Sequence, residues 1–173
     1  IQAVETEPDS DDIDMLIESL LRERAAFLFR DVVVSHIVDH GSEYLGKPYK
    51  FRNPLGNIMD CSGFVGYIYS LEGIRLPRTS RAISESIIKI PLSEVSVGDL
   101  LFFKGSSLKS KVVGHVGMVI ENRDGKIKMM HSSRRGIIID DYPNAYYSKR
   151  FLHAGRIPDL EKLLGGQNAF WAP

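Results

Sequence analysis

Apolar residues recur at helical spacing early in the chain and in short clustered runs later. Ile13, Leu16, Ile17, Leu20 and Leu21 fall three or four apart or side by side, the spacing of one helix face. Asp9-Ser10-Asp11-Asp12 stands just before them, with side-chain oxygens able to cap the free N–H groups of a helix start. A second helical stretch is expected to reach Leu45, with Val33, Ile37 and Leu45 on one side, before Gly46-Lys47-Pro48 ends it. Pro48, Asn53, Pro54, Gly56 and Asn57 predict a loop up to Asp60. Phe64, Val65, Ile68 and Leu71 predict a helix that begins near Cys61 and stops at Gly73, and Ser80–Ile88 predicts a shorter one. Leu100–Phe103, Val116–Ile120, Ile127–Met130, Ile137–Ile139 and Phe151–Ile157 are short apolar runs bounded by Gly, Asp or Asn, the signature of strands. Helices first and strands later predict an α+β fold with an antiparallel sheet of about five strands. Residues 158–173 read as a tail with one short helix around Leu160–Leu164.

The 173 residues fit one domain, and a domain of this size buries about 70% of its unfolded surface without help from a metal or a disulfide. The longest unbroken apolar run, Ala25–Phe29, has five residues, against the roughly 20 that a membrane-spanning helix needs. Zero net charge argues against a nucleic-acid partner held by bulk charge. That zero is a sum of opposites. Residues 1–23 carry eight acids and one base, a net −7, and the rest of the chain carries +7. The acids are read as a solvated helix start, where negative charge is favourable, rather than as a docking arm. The chain opens at Ile1 without a Met, which fits either a removed leader or a trimmed chain. Nothing in the sequence sets an oligomeric state.

One cysteine, Cys61, excludes an internal disulfide framework and any Cys-x-x-Cys motif. It stands where a Gly- and Pro-rich loop becomes a helix. The first turn of a helix offers free N–H groups and partial positive charge, which favour a thiolate. Ser62-Gly63 keeps that turn small. A buried structural cysteine is the other reading, and position alone does not separate the two.

A thiolate nucleophile needs a base in reach and a group that orients the base. Among the five histidines, His115 opens one predicted strand and His131 closes the next, with Asn122-Arg123-Asp124-Gly125 as the turn between them. A plain two-residue Asp-Gly turn pairs His131 with Met118 and sends the two rings to opposite faces. A type I turn with Gly125 as a left-handed bulge instead pairs His131 with Gly117 and puts the two on one face as diagonal neighbours. A shared thiol site requires the second register. His36 and His40 are four apart but lack the Glu of a His-Glu-x-x-His zinc site, and they read as helix-surface or half-buried residues. His153 has no partner in sequence. Cys61, His115 and His131 also have the residue types of a three-ligand zinc site, though no fourth ligand is suggested. Asp9, Asp11 and Asp14 lack the glycine of a calcium loop.

Asp60-Cys61-Ser62-Gly63-Phe64, Leu76-Pro77-Arg78-Thr79-Ser80, Gly98-Asp99-Leu100-Leu101-Phe102-Phe103, His115-Val116-Gly117 and Met130-His131-Ser132 occur in order. Together they resemble the NlpC family of papain-like bacterial cell-wall peptidases, over about Ser35 to Ile157. The resemblance implies a papain-like core with the nucleophile helix packed on an antiparallel sheet. It implies a catalytic domain over residues 35–157, preceded by an acidic helical extension (1–34) and followed by a tail (158–173). It also implies a cysteine endopeptidase, periplasmic or secreted, that hydrolyses peptidoglycan stem peptides or muropeptides, commonly between γ-D-glutamate and a diamino acid, with no cofactor or metal. By the same matching Cys61 is the nucleophile, His115 the base and His131 the group that orients it. Tyr49 lines the site with its hydroxyl. Asp60 and Ser62 recognise the peptide, the acid receiving a free amino terminus, and Ser80 is a further substrate-side position.

The chain departs from the family pattern at Lys50-Phe51-Arg52-Asn53, where an aromatic and two glycines are usual, and Arg52 is a candidate partner for a substrate carboxylate. Ser106–Val113, with Lys104, Lys109 and Lys111 in and beside it, is longer and more basic than a minimal loop and reads as a lip on the cleft. An amidase or acyltransferase on the same scaffold is an alternative, because thioester chemistry does not choose the substrate. A wall-binding module with a dead site is another, against which all three chemical positions hold competent residues.

Overall fold

Asp9 accepts the Asp11 N–H at 3.2 Å and caps α1, Ser10–Ser42, in the computed structural model, which describes residues 9–158 and 160. α1 is one unbroken helix of 33 residues, not two. No Gly or Pro falls between Ser10 and His40, so no backbone breaker interrupts it. Ala26, Arg30, Val33, Val34, Ile37 and Gly41 form its buried stripe. At Gly41 a Cβ would lie 2.6 Å from Met130 Sδ, so a glycine lets α1 approach the sheet closely. The earlier periodic positions do not pack: Ile13, Leu16, Ile17, Leu20 and Leu21 are between 43% and 62% exposed. Only the half of α1 from Ala26 onward reaches the body. The expected tail helix around Leu160–Leu164 lies, Leu160 apart, outside the described residues, as do Glu5 and Glu7.

Two short helices follow, α2 at Cys61–Ser70 and α3 at Ser80–Ser86. α3 ends two residues before the expected Ile88, and the chain turns into β1, Ile88–Ile90. This three-residue strand is too short to show a period and escapes sequence reading. The strands β2 (Leu100–Lys104), β3 (Val113–Arg123), β4 (Lys126–Ser133), β5 (Gly136–Tyr142) and β6 (Phe151–Arg156) coincide with the five apolar runs. The sheet therefore has six strands, in the order β1-β6-β2-β3-β4-β5, and every pair is antiparallel.

Strand alternation divides the core. Phe102, Val116, Met118 and Met130 cluster with Phe64, Val65 and Ile68 of α2 and Ile37 of α1. Leu101, Phe103, Val119, Met129, Tyr142 and Tyr147 form a second cluster. Asp99 ties the assembly together from a fully buried position. It accepts from Arg156 Nε at 2.8 Å and Nη2 at 2.9 Å and from the Ser96 N–H at 2.7 Å, and Arg30 of α1 stands 4.0 Å away. The Gly98 carbonyl accepts the Tyr69 hydroxyl at 2.6 Å. Gly98-Asp99 is thus a structural clamp between α1, α2 and the sheet.

Candidate active site

The start of α2 is built around Asp60. Its Oδ1 accepts the Gly63 N–H at 2.8 Å, and its backbone carbonyl takes the Phe64 N–H at 2.8 Å. Gly63 must be glycine, since a Cβ there would sit 2.0 Å from the Ile58 carbonyl oxygen. The backbone N–H groups of Val116 on β3, of Ser62 and of Cys61 itself favour the Cys61 thiolate. The nucleophile candidate is therefore held against the residue that follows His115. Its side chain is free and only 8% exposed. Burial pushes the thiol up from its ordinary range, the Asp60 charge adds to this, and the three N–H groups only partly compensate. The helix start alone predicted the opposite direction; desolvation outweighs it.

The β3–β4 hairpin brings the two histidines onto one face, by an unexpected route. Arg123 pairs with Lys126 across a two-residue turn, and Asp124 and Gly125 both have positive φ, 53° and 81°, the conformation of a tight primed turn. That turn alone would misplace His131. A bulge between Val119 and Glu121 shifts the register so that Met118 faces Met130. One step further along the ladder His131 then lies opposite Gly117, whose Cβ, if present, would come 3.3 Å from His131 Cβ. The required register is thus reached through Ile120 rather than Gly125.

His115 Nε2 and His131 Nδ1 are 2.8 Å apart, and His131 Nε2 lies 3.0 Å from Asp140 Oδ2 on β5. Burial works against the Asp140 carboxylate, but hydrogen bonds from Arg135 and His131 outweigh it and hold its pKa below the usual range. An ionised carboxylate only accepts, so His131 carries its proton on Nε2. Burial, only partly offset by Asp140, pushes His131 down and keeps it neutral, which leaves Nδ1 as an acceptor for the His115 Nε2–H. The remaining His115 nitrogen, Nδ1, then carries a lone pair with no hydrogen-bond partner among the described residues. Burial and the neighbouring His131 push the His115 pKa down to about 3, so the resting ring is neutral. Thiol and imidazole make no hydrogen bond to each other here; such contacts often close only when substrate binds. Tyr147 packs nearly parallel to His115 with ring centroids 5.9 Å apart.

A cleft of about 780 Å³ opens beside His115. Tyr49, Ser132 and Tyr147 line it, as do Lys104, Gly105 and Ser106 at the start of the basic lip. Cys61, His131, Asp60, Ser62 and Ser80 lie outside that lining. Asp60 is gripped by both Arg78 terminal nitrogens, at 2.9 and 2.8 Å, and Ser62 accepts from Arg78 at 3.2 Å. These contacts outweigh burial and hold the Asp60 pKa low. Ser80 opens α3 directly after its cap, Thr79, and is buried. Arg52 donates to its own loop at the Gly56 carbonyl, 2.8 Å away, and does not line the cleft. Outside the site, His40 meets Glu72 at 3.0 Å with His36 3.6 Å from the same oxygen, and His153 bonds Ser84 at 2.9 Å. Among the described residues no group of three or more His, Cys, Asp or Glu is placed to hold a metal ion, and no helix is long and apolar enough to cross a membrane.

Sequence reading missed Asp140 because it ended the strand at Ile139. Ser133 pairs with Gly136 across Arg134-Arg135, and counting from that two-residue turn places Asp140 diagonal to His131.

The family model described as the NlpC/P60 family matches residues 46–156. The chain is 32% identical over 121 residues to the probable endopeptidase p60 of Listeria seeligeri, covering 70% of this chain and 22% of that protein. It is 34% identical over 104 residues to the gamma-D-glutamyl-L-lysine dipeptidyl-peptidase of Bacillus subtilis, covering 60% of this chain and 33% of the relative. A crystal structure of an NlpC/P60 family protein from Bacillus cereus superposes with a TM-score of 0.60 at 31% identity, over 71% of this chain and 39% of that one. The chain thus spans about a fifth to a third of the length of these curated relatives.

Proposed function

The chain belongs to the NlpC/P60 family, and on that premise we propose that it is a cysteine peptidase that hydrolyses amide bonds in peptidoglycan stem peptides, at γ-D-glutamyl–diamino acid bonds. The observation that carries this reading is the hydrogen-bonded line from His115 through His131 to Asp140 beside the Cys61 helix start. Relatives named as an endopeptidase and a gamma-D-glutamyl-L-lysine dipeptidyl-peptidase support the substrate. Its place of action is the cell envelope, where that substrate lies, and its catalytic domain is residues 35–157.

The chemistry follows from the protonation pattern. His115 Nδ1 takes the thiol proton as Cys61 Sγ attacks the amide carbon. Neutral partners suffice, because the ion pair forms only as the S–C bond forms. The developing imidazolium is stabilised through His131 by the Asp140 carboxylate, the role of the third group in a triad. The Cys61 N–H at the start of α2 donates to the developing oxyanion once the thiol sulfur is engaged in the S–C bond, with Tyr49 at its side. The intermediate collapses, the C–N bond breaks, and His115 gives its proton to the leaving amine. Water, deprotonated by His115, then hydrolyses the thioester. Asp60, Ser62 and Ser80 contact the acyl side of the peptide, and Asp60 receives its amino terminus in competition with Arg78. Cys61→Ala should abolish cleavage of defined muropeptides, and unchanged cleavage sinks this reading.

A further inference from the structure

The cleft beside His115 carries more positive charge than the cleavage chemistry uses. Lys104, Arg134, Arg135 and Arg150 line it against a single acid, Asp140. Two of these cations are engaged: Arg135 with Asp140, and Lys104 with the Leu108 carbonyl at 2.9 Å. Arg134 makes no hydrogen bond or ion pair among the described residues; it stands near Tyr49, whose hydroxyl burial pushes up and whose shift the Arg134 charge offsets only in part. Arg150 lies over the Tyr146 ring, its guanidinium carbon 3.7 Å from the centroid, and donates from one terminal nitrogen to the Tyr146 carbonyl at 3.2 Å. Its Nε–H is buried with no hydrogen-bond partner among the described residues, which leaves its other terminal nitrogen as the group able to meet a ligand.

The position of the cleft fixes which part of a substrate meets these groups. His115 hands its proton to the leaving amine, so the leaving fragment lies on the His115 side. Asp60, Ser62 and Ser80, on the acyl side, do not line the cleft. Guanidinium groups match carboxylates in shape and charge. We propose that this cleft is a carboxylate-binding subsite for the leaving fragment, with Arg134 and Arg150 as its donors. The assignment rests on the peptidase reading. It makes the enzyme selective for stem peptides that carry free carboxylate beyond the cut bond. Two carboxylates meet that description: the second carboxyl of a diaminopimelate side chain and the carboxyl terminus of the peptide.

The test separates these sources and does not require turnover. Binding of diaminopimelyl-D-alanine to the full chain is measured by NMR titration in four forms: both carboxylates free, either one amidated, and both amidated. Lysyl-D-alanine serves as a fifth ligand. Arg134→Ala, Arg150→Ala and Arg150→Lys are compared with the unsubstituted protein, and melting temperatures verify folding. Amidating the recognised carboxylate should weaken binding about tenfold or more, the strength of one charge-assisted hydrogen bond. Arg134→Ala, an exposed substitution, should weaken the free form equally and leave the amidated form unchanged. Equal binding of free and amidated ligands, no binding of any, or equal losses on every ligand in the Arg134 variant would overturn the subsite. Cleavage of the matching γ-D-glutamyl peptides is read separately: carboxylate-selective binding without cleavage leaves the subsite standing and removes the peptidase reading. Cleavage indifferent to amidation does the reverse.

Discussion

Removing the Asp140 carboxylate tests the relay at its far end, away from the reacting atoms. In Asp140→Ala the His131 Nε2–H loses its acceptor at 3.0 Å, and nothing fixes which His131 nitrogen carries the proton. In half of the resulting tautomers two lone pairs or two N–H groups face each other across the 2.8 Å contact with His115. The imidazolium that forms during attack also loses its charge partner. A hydrogen bond to a charged group contributes about 1.5–3 kcal/mol, which corresponds to about 10- to 150-fold in kcat/KM. Asp140→Asn keeps an acceptor but not the charge and should fall between the alanine variant and wild type. Arg135→Ala leaves the carboxylate in place and should lose less. The assay is kcat/KM on a defined γ-D-glutamyl stem peptide, with melting temperatures measured alongside. An Asp140→Ala enzyme that melts like wild type and stays within about twofold in kcat/KM, against the span worked above, would refute the reasoning.

Three further outcomes follow from the same structure. The His115 pKa, about 3 when folded, lies below its unfolded value near 6.5, so its contribution to stability is present above pH 6.5 and is lost as pH falls toward 3. Between pH 7 and pH 5 the loss is about 2 kcal/mol. Urea unfolding of His115→Gln should show a pH dependence shallower by that amount, and an unchanged dependence speaks against a buried neutral imidazole. Because burial raises the Cys61 thiol, its iodoacetamide labelling should still be rising at pH 9, and a plateau reached below pH 8 would contradict the protonated resting state. Asp99→Ala removes the buried carboxylate that faces the half-buried Arg156 and the buried Arg30 and should cost about 3–5 kcal/mol in the same urea assay; a loss under 1 kcal/mol, the scale of an exposed pair, would show that the clamp is dispensable.

Much of this site was legible because its constraints are local or arithmetic. Asp60 as a helix cap, Gly63 in a crowded first turn and the five apolar strands all follow from neighbours in sequence. The parity of the His115–His131 hairpin named the register that joint action requires. The bulge at Ile120 that supplies it has no local signal, since nothing in Val119-Ile120-Glu121 distinguishes it from regular strand. Cys61 shows a different limit. A helix start lowers a thiol pKa by a local field, whereas the opposing desolvation comes from β3 and the core, which only the folded chain brings together. The continuity of α1 was missed, although the absence of Gly and Pro between Ser10 and His40 signals it. That its first half stays exposed was not legible, because periodicity marks a face without saying what meets it.

The central claim, that Cys61 forms an acyl intermediate with a stem peptide, is tested most directly by mass. The protein is mixed with a γ-D-glutamyl–diamino acid peptide, quenched in acid within the first turnover and measured intact, then digested to locate any adduct. The account predicts a thioester of the γ-glutamyl fragment on Cys61, absent from the Cys61→Ala protein, which also releases no product. Product release with no adduct on Cys61, at equal rates in both proteins, would contradict it.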